Sequence, residues 1–251
     1  MFALRLRVLV VIPALNEERS VGPLVAEVRA EAGRLGLDIT PVVIDDGSID
    51  RTSEVAAAAG ARVVRLSKNL GIGGAVQAGL RLAHREGFAC AVQMDGDGQH
   101  PPGELRKLLE AWRSAPEPAP DLVVGTRYGD ARSAFQSTAL RRVGSTWLRW
   151  MLRVVAGVTS SDPTSGYRLY GPRALALFER TYPYDYPEPE SLAMARAAGL
   201  SIREVPVEMR PRVTGASSIR TWRTVYYMVK VSVAVALCYV RTVRRPWPRA
   251  M

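Results

Sequence analysis

Phe88-Ala89-Cys90-Ala91-Val92-Gln93-Met94-Asp95-Gly96-Asp97-Gly98-Gln99-His100 decides how this 251-residue chain folds. Phe88–Met94 is a short apolar run of the kind that forms a buried strand. Asp95 and Asp97 then emerge one residue apart at its C-terminal end, the rim where open α/β sheets hold ligands. Paired carboxylates there suit a hard divalent cation, which takes oxygen ligands and commonly bridges substrate phosphates. Taken alone, the same turn also reads as a solvated Asp-Gly loop. A calcium loop of the EF-hand type does not fit, because His100 stands where that loop requires glycine.

On both sides of this stretch, strand and helix signals alternate. Strands are expected at Leu6–Ile12, Asp38–Ile44, Ala61–Leu66 and Asp121–Val124. Helices are expected at Ser20–Ala32 (ended by Gly33), about Asp50–Ala59, about Ile72–Glu86 (stopped by Gly87) and Pro102–Ser114. Ala115–Pro120 is a Pro-rich surface linker within one domain. The β-α-β-α order implies a largely parallel sheet covered on both faces. The second half is less regular, with helices expected at Thr138–Val158, Pro172–Thr181 and Glu190–Ala198, and strands at Gly166–Tyr170 and Ile202–Val207. A basic loop, Arg210–Arg220, then leads into an apolar helix at Val225–Val240.

The chain carries 34 Lys and Arg against 24 Asp and Glu, a net charge of +10. This excess favours a polyanionic partner: nucleotide phosphates, an anionic membrane face or nucleic acid. No recognition-helix, zinc-finger or RNP pattern supports nucleic acid, so none is expected as a partner. Arginines gather beside the apolar C-terminal helix (Arg241, Arg244, Arg245, Arg249), which favours the membrane surface. Cys90 and Cys238 match no ligand or redox spacing and are expected to be core thiols of a cytosolic protein. Leu6–Ile12 is too short for a secretory leader and runs into a turn, so no cleaved leader is expected.

Three acidic turns follow three of the strands: Ile12-Pro13-Ala14-Leu15-Asn16-Glu17, Ile44-Asp45-Asp46-Gly47-Ser48-Ile49-Asp50, and the Asp95–His100 turn. Parallel strands put all three on one rim. Converging buried carboxylates repel, and stay ionised together only where a cation or hydrogen-bond donors compensate them. Three such turns in a basic chain indicate a metal–nucleotide site.

On these residues the chain resembles the inverting glycosyltransferases of family 2, whose fold is GT-A. It is closest in appearance to polyprenyl-phosphate sugar transferases of the dolichol-phosphate mannose synthase type. V-V-I-P-A-L-N-E-E, V-V-I-D-D-G-S-I-D and M-D-G-D-G-Q-H-P-P match the family's two strand-turns and metal motif, and the match covers nearly the whole chain. The resemblance implies an α/β, Rossmann-like GT-A domain over residues 1–221, followed by an amphipathic, basic membrane-interface helix and tail over 222–251. It implies that Pro13, Asn16, Glu17, Asp45, Asp46, Gly74 and Asp95 contact the nucleotide sugar. It further implies that Asp95, Asp97 and Gln99 hold Mg²⁺ or Mn²⁺.

Gly125-Thr126-Arg127-Tyr128 looks like the family's G-S-R-Y, whose arginine faces the acceptor phosphate. Arg141 and Ser145 keep its R-x-x-x-S spacing, Asp162–Arg168 looks like D-x-T-S-G-F-R, and Arg212–Ser218 resembles R-x-x-G-x-S-K. The acceptor-phosphate set implied is therefore Arg127, Arg141, Ser145, Arg168, Arg212 and Ser217. Ser218 stands where the mannose synthases carry Lys. Tyr186–Glu190 (Y-P-E-P-E) looks more like small bacterial members that use UDP-sugars. A UDP-linked hexose or N-acetylhexosamine is thus expected rather than GDP-mannose.

Asp97, Arg127 and Glu190 are the expected catalytic residues. A phosphate acceptor is mostly dianionic at neutral pH, its second pKa being about 6, and needs no general base. Glu188 and Glu190 therefore remain open between a base, an acceptor-orienting group and exposed loop acids. Gly71-Ile72-Gly73-Gly74 fails the dinucleotide fingerprint at Val76, so close helix packing explains it better. His84 and His100 are expected to be structural or exposed, and Trp147, Trp150 and Met151 to pack the core.

Val225–Val240 would reach only about 24 Å as a helix, short of a hydrocarbon core of about 30 Å. It is expected to lie at the membrane interface, with an ordinary core or dimer helix as the alternative. The function expected is transfer of a hexose or N-acetylhexosamine to undecaprenyl or decaprenyl phosphate at the cytoplasmic membrane face. Transfer to a saccharide hydroxyl in polysaccharide assembly, or a non-catalytic sugar-nucleotide-binding subunit, are the alternatives. A small membrane-anchoring subunit and a homo-oligomer are the further partners considered.

Overall fold

The computed structural model describes residues 6–114, 118–128, 139–210 and 221–244. Its strands are β1 (Arg7–Ala14), β2 (Asp38–Asp45), β3 (Arg62–Arg65), β4 (Cys90–Gln93), β5 (Leu122–Thr126), β6 (Arg168–Tyr170) and β7 (Ile202–Pro206). Its helices are α1 (Val21–Leu35), α2 (Thr52–Ala58), α3 (Gly71–Arg85), α4 (Leu105–Arg113), α5 (Ala139–Ala156), α6 (Pro172–Phe178), α7 (Pro187–Ala197) and α8 (Thr221–Arg244).

The strands form one sheet in the order β3-β2-β1-β4-β6-β5-β7. All neighbours pair in parallel except β6, which runs antiparallel to both β4 and β5. Side chains alternate across a strand, and β1 shows the consequence. Val8, Val10 and Ile12 pack on one face with Val21, Leu24 and Val28 of α1 and Leu105 and Leu108 of α4. Leu9 and Val11 pack on the other with α3, α5, α6, α7 and α8. The sheet is therefore covered on both faces, as the β-α-β-α order implied.

Registers align the strand ends. Ala14 of β1 pairs with Asp45 of β2, and Val11 of β1 with Gln93 of β4. The loops after β1, β2 and β4 therefore leave the same rim, with β1 at the point where the strand order changes direction.

Several element ends differ from expectation. Helix α1 passes Gly33 and stops at Gly36, whose φ of +62° supplies the left-handed cap that Gly33 does not. The Pro102 segment opens with a 3₁₀ turn at Pro102–Glu104 before α4. Helix α7 begins at Pro187, so Glu188 lies in its first turn rather than in a loop. Helix α8 has 24 residues, about 36 Å of helix at 1.5 Å each. Length is thus not what bars it from spanning; no helix among the described residues is long and apolar enough to cross a membrane. Val231 and Val235 of α8 are buried in the core with α5 and α7.

Trp147 and Trp150 correct the expectation of core packing: they are 43% and 54% exposed, whereas Met151 is buried. They lie three residues apart on the outer face of α5, and the Trp147 indole N–H donates to Ser232 Oγ of α8 at 2.9 Å. Cys90 is buried, and burial pushes its thiol up to about 12.

Of the glycines that open α3, Gly73 and Gly74 serve packing. A Cβ on Gly73 would come within 2.2 Å of the Pro183 carbonyl oxygen and 2.8 Å of Tyr184 Cα, both backbone atoms. Gly73→Ala must therefore shift α3 or the 183–184 segment. We expect it to lower stability by about 1–3 kcal/mol, read as a lower urea midpoint at unchanged slope. A midpoint equal to the wild type would contradict this packing.

Candidate active site

The three rim loops are joined to one another by short hydrogen bonds. Asn16 takes a positive φ of +57°. There its backbone N–H donates to Ser48 Oγ at 2.9 Å, and its Oδ1 accepts the Ile49 N–H at 2.9 Å. The Glu17 N–H donates to Thr52 Oγ1 at 2.8 Å, and the Asp46 N–H to the Ala14 carbonyl at 2.9 Å. The Gly96 N–H reaches the Pro13 carbonyl at 3.2 Å, and a Cβ on Gly96 would lie 2.9 Å from that oxygen. Glycine at 96 lets the Asp95–His100 turn settle against the end of β1.

Pro13, Leu15, Glu17, Asp46, Asn69, Gly71, Ile72, Asp95 and Asp97 line a cleft of about 330 Å³ at this rim. Of the expected nucleotide contacts, Pro13, Glu17, Asp46 and Asp95 are in it. Asn16, Asp45 and Gly74 are not among its walls. The buried Asp45 carboxylate accepts the Ser48 N–H at 2.8 Å and a bond from Ser53 Oγ, with Arg65 at 3.9 Å. Burial raises its pKa, but the Ser48 and Ser53 hydrogen bonds and Arg65 outweigh that and hold it below the ordinary carboxylate value. Asp45 thus braces the turn from behind. Gly74 is buried, and its position abuts Leu70, because successive helix residues point about 100° apart. Gly71, Ile72 and Ala75 take the cleft wall instead.

Asn69 is a polar wall residue that sequence reasoning missed. Its Oδ1 accepts the Gly71 N–H at 2.9 Å, while the next residue, Leu70, donates its N–H to Asp46 Oδ1 at 2.7 Å. The Asn-x-Gly sequence was an available turn signal.

Asp95 and Asp97 stand together on the cleft floor. Asp97 is buried, and its Oδ1 accepts the Gln99 N–H at 3.0 Å, which fixes the turn. The Asp95 N–H donates to His100 Nδ1 at 2.9 Å. His100 is buried, stacks on Tyr167 at 4.9 Å, and presents Nε2 3.9 Å from Asp95 Oδ2. Asp95 Oδ1 is buried with no hydrogen-bond partner among the described residues. An orphaned carboxylate oxygen is costly unless a ligand completes it, so this pair fits a divalent cation. No group of three or more His, Cys, Asp or Glu that could hold a metal occurs among the described residues. The remaining ligands would therefore be diphosphate oxygens and water, the usual mode for Mg²⁺. The backbone carbonyl of Gln99, the third expected ligand, accepts the Arg210 N–H at 2.9 Å.

The basic side of the site lies beyond β5. Arg127 grips Asp162 in a bidentate pair, Nε and Nη2 each at 2.7 Å, and Nη2 also reaches Thr164 Oγ1 at 2.9 Å. Burial pulls its pKa down, but the Asp162 bonds and charge, with smaller help from Tyr128 and Asp95, raise it overall. Arg127 is therefore a fixed cation in the field of Asp95.

Arg168 departs from the expectation of a phosphate contact. It is fully buried, donating to the Ser165 carbonyl at 2.7 Å, the Pro163 carbonyl at 3.2 Å and Ser191 Oγ at 2.7 Å. It ties the 163–165 loop to α7. Arg141 and Ser145 stand in the first two turns of α5. Arg212 and Ser217 lie outside the described residues.

Glu190 Oε1 accepts the Tyr186 N–H at 3.1 Å, so it caps the start of α7. Its pKa is raised by burial, with Tyr186 opposing and Asp185 adding. The acid of α7 that feels the site is Glu188. Burial raises its pKa, Arg168 opposes, and the Asp95 charge adds to the rise.

Gly166 leaves room for Asp95, since a Cβ there would meet Asp95 Oδ2 at 2.9 Å and Oδ1 at 3.0 Å. A side-chain tip can move aside, so Gly166→Ala should cost little stability yet displace the carboxylate. We expect Mn²⁺ affinity, read by electron paramagnetic resonance in the presence of UDP, to fall about tenfold, with the melting temperature nearly unchanged. Unaltered Mn²⁺ affinity would contradict the placement of Asp95 as a ligand.

Comparison with known proteins agrees with this geometry. The family model "Glycosyl transferase family 2" matches residues 9–170. The chain is 32% identical over 227 residues to an undecaprenyl-phosphate mannosyltransferase of Micrococcus luteus, covering 85% of this chain and 88% of that one. It is 31% identical over 229 residues to a polyprenol monophosphomannose synthase of Mycolicibacterium smegmatis, covering 85% and 81%. A UDP-N-acetylglucosamine–dolichyl-phosphate N-acetylglucosaminyltransferase of Methanococcus voltae is 26% identical over 218 residues, covering 79% and 83%. Glucosyl-3-phosphoglycerate synthase from Mycobacterium tuberculosis, solved with Mn²⁺, UDP-glucose and phosphoglyceric acid, superposes with a TM-score of 0.65. That match covers 98% of this chain and 82% of that one at 22% identity, and so speaks to the fold alone. The chain belongs to glycosyl transferase family 2 and is a glycosyltransferase of GT-A architecture.

Proposed function

We propose that this glycosyltransferase moves a hexose or N-acetylhexosamine from a UDP-sugar to a polyprenyl phosphate, with inversion, at the cytoplasmic face of the membrane. The observation that carries this reading is the pairing of two kinds of site on one rim. The Asp95–Asp97 floor has an orphaned oxygen suited to a cation and diphosphate, and it adjoins a fixed, partly buried guanidinium at Arg127. The relatives named for transfer to polyprenol, undecaprenyl phosphate and dolichyl phosphate support the acceptor class.

In this reading Glu17, Asp46 and Asn69 shape the nucleotide cleft, and Asp95 and Asp97 hold Mg²⁺ or Mn²⁺. The cation, when bound, neutralises charge growing on the departing nucleoside diphosphate. Arg127 fixes the acceptor phosphate through charge-assisted hydrogen bonds and so sets its approach to the sugar. A dianionic phosphate is its own nucleophile, and this agrees with the employment of Glu190 as a cap rather than a base. Two relatives named for mannose transfer favour a second donor reading, GDP-mannose. Ser218 and the Y-P-E-P-E segment are the reasons for preferring UDP.

The lipid acceptor requires contact with a membrane. Trp147, Trp150 and Val154 of α5 are exposed at helical spacing, as are Val233, Leu237 and Val240 of α8. Arg153 and Arg241 are exposed on the same two helices. Apolar stripes flanked by arginine suit an anionic bilayer interface. An anchoring subunit or a second copy of the chain would be expected on this same stripe if vesicles fail to bind it.

Vesicles containing undecaprenyl phosphate and anionic lipid, incubated with labelled UDP-glucose, UDP-N-acetylglucosamine or GDP-mannose and Mg²⁺, test the reading. Label from a UDP-sugar should enter the lipid extract and be lost on adding EDTA. Arg127→Ala should raise the acceptor KM at least tenfold. Label appearing only in a soluble saccharide would instead favour a hydroxyl acceptor, and label only from GDP-mannose would favour the second donor.

A further inference from the structure

Glu204 projects from the edge strand β7 and is absent from every motif that marks the site. Its carboxylate nevertheless gathers the turn before Asp162. Oε1 and Oε2 accept the Ser161 N–H at 2.9 and 3.0 Å, Oε2 accepts Ser161 Oγ at 2.6 Å, and Oε1 accepts Ser160 Oγ. Ser161 Oγ lies 2.7 Å from Thr126 Oγ1, which lies 3.0 Å from both the Tyr128 N–H and the Tyr128 carbonyl oxygen.

An ionised carboxylate only accepts, so the single Ser161 hydroxyl proton points to Glu204. Thr126 Oγ1 accepts the Tyr128 N–H, and its own proton is shared between Ser161 Oγ and the Tyr128 carbonyl oxygen. A relay of hydrogen bonds thus links Glu204 through Ser161 and Thr126 to the backbone just after Arg127. Asp162, the residue after Ser161, completes the clamp by holding the Arg127 guanidinium through Nε and Nη2 and its backbone N–H at 3.2 Å.

We infer that Glu204 is a positioning residue for the acceptor phosphate: it sets Arg127 from both sides, through Asp162 and through Thr126, without touching substrate. This rests on the proposed role of Arg127. An arginine side chain carries large rotamer entropy. Orienting it before the acceptor arrives lowers the ordering cost of binding. The effect belongs to the acceptor and not to the donor, whose cleft is built from the loops after β1, β2, β3 and β4 and the start of α3.

Glu204→Gln keeps the shape but replaces one acceptor oxygen by an amide donor, which leaves Ser160 and Ser161 short of an acceptor. Thr126→Val removes the middle hydroxyl, and Thr126→Ser retains it. The steady-state acceptor KM should rise about tenfold in Glu204→Gln and Thr126→Val and return toward wild type in Thr126→Ser. The donor KM and UDP affinity should be unchanged in all three. Arg127→Lys, assayed beside them, separates the two levels of inference. If Arg127→Lys raises the acceptor KM while Glu204→Gln and Thr126→Val do not, the relay is overturned and the role of Arg127 stands. If Arg127→Lys also leaves the acceptor KM unchanged, the phosphate reading itself fails. Equal losses for donor and acceptor would show Glu204 to be a general stability residue and would overturn the inference. UDP titration reports folding of each variant independently of turnover.

Discussion

Four aspartates converge on one sheet rim, and the local structure follows from how the oxygens of each are satisfied. Asp45 receives Ser48, Ser53 and Arg65, Asp46 receives the Leu70 N–H, and Asp97 receives the Gln99 N–H. Asp95 alone keeps a buried oxygen for which the described residues offer no hydrogen-bond donor. A buried carboxylate oxygen left without a partner is unfavourable, so this point of the fold suits a positive charge. Glycines at 96 and 166 keep the space around it open, the first against the end of β1 and the second against the carboxylate itself.

The antiparallel strand β6 is what brings the second half of the chain to this site. Because it runs between β4 and β5 in the opposite sense, the residues just before it, Asp162–Gly166, arrive at the rim where β4 and β5 end. Asp162 meets Arg127 there, and Gly166 meets Asp95. Arg168, at the start of β6, ties this segment to α7 through Ser191. Helix α7 in turn packs with α5 and α8 in one core cluster. The acidic cleft and the Arg127–Asp162 pair are thus carried by one packed core, with the exposed stripes of α5 and α8 attached to it.

Much of the first half was legible because its signals are local. Apolar runs of strand length, ended by Asp, Asn and Gly, are set by backbone geometry and burial over a few residues. The acidic turns could be placed on one rim from parallel order alone. What stayed hidden depends on distant partners. The burial of Arg168 needs Ser191, 23 residues away, and the work of Glu204 needs Ser160 and Ser161, more than 40 residues away. Glu190 became a cap only because α7 begins at Pro187, three residues before the sequence suggested. Trp147 and Trp150 share helical spacing with core residues, and only the packing of α8 against α5 decides that their face stays outside.

Crystals grown with UDP and Mn²⁺ and measured at the manganese edge test the central claim most directly. The account predicts one anomalous peak on the cleft floor, within about 2.0–2.6 Å of a carboxylate oxygen of both Asp95 and Asp97 and in contact with the diphosphate. UDP seated in the cleft with no manganese at these two carboxylates, or manganese bound elsewhere, would contradict it.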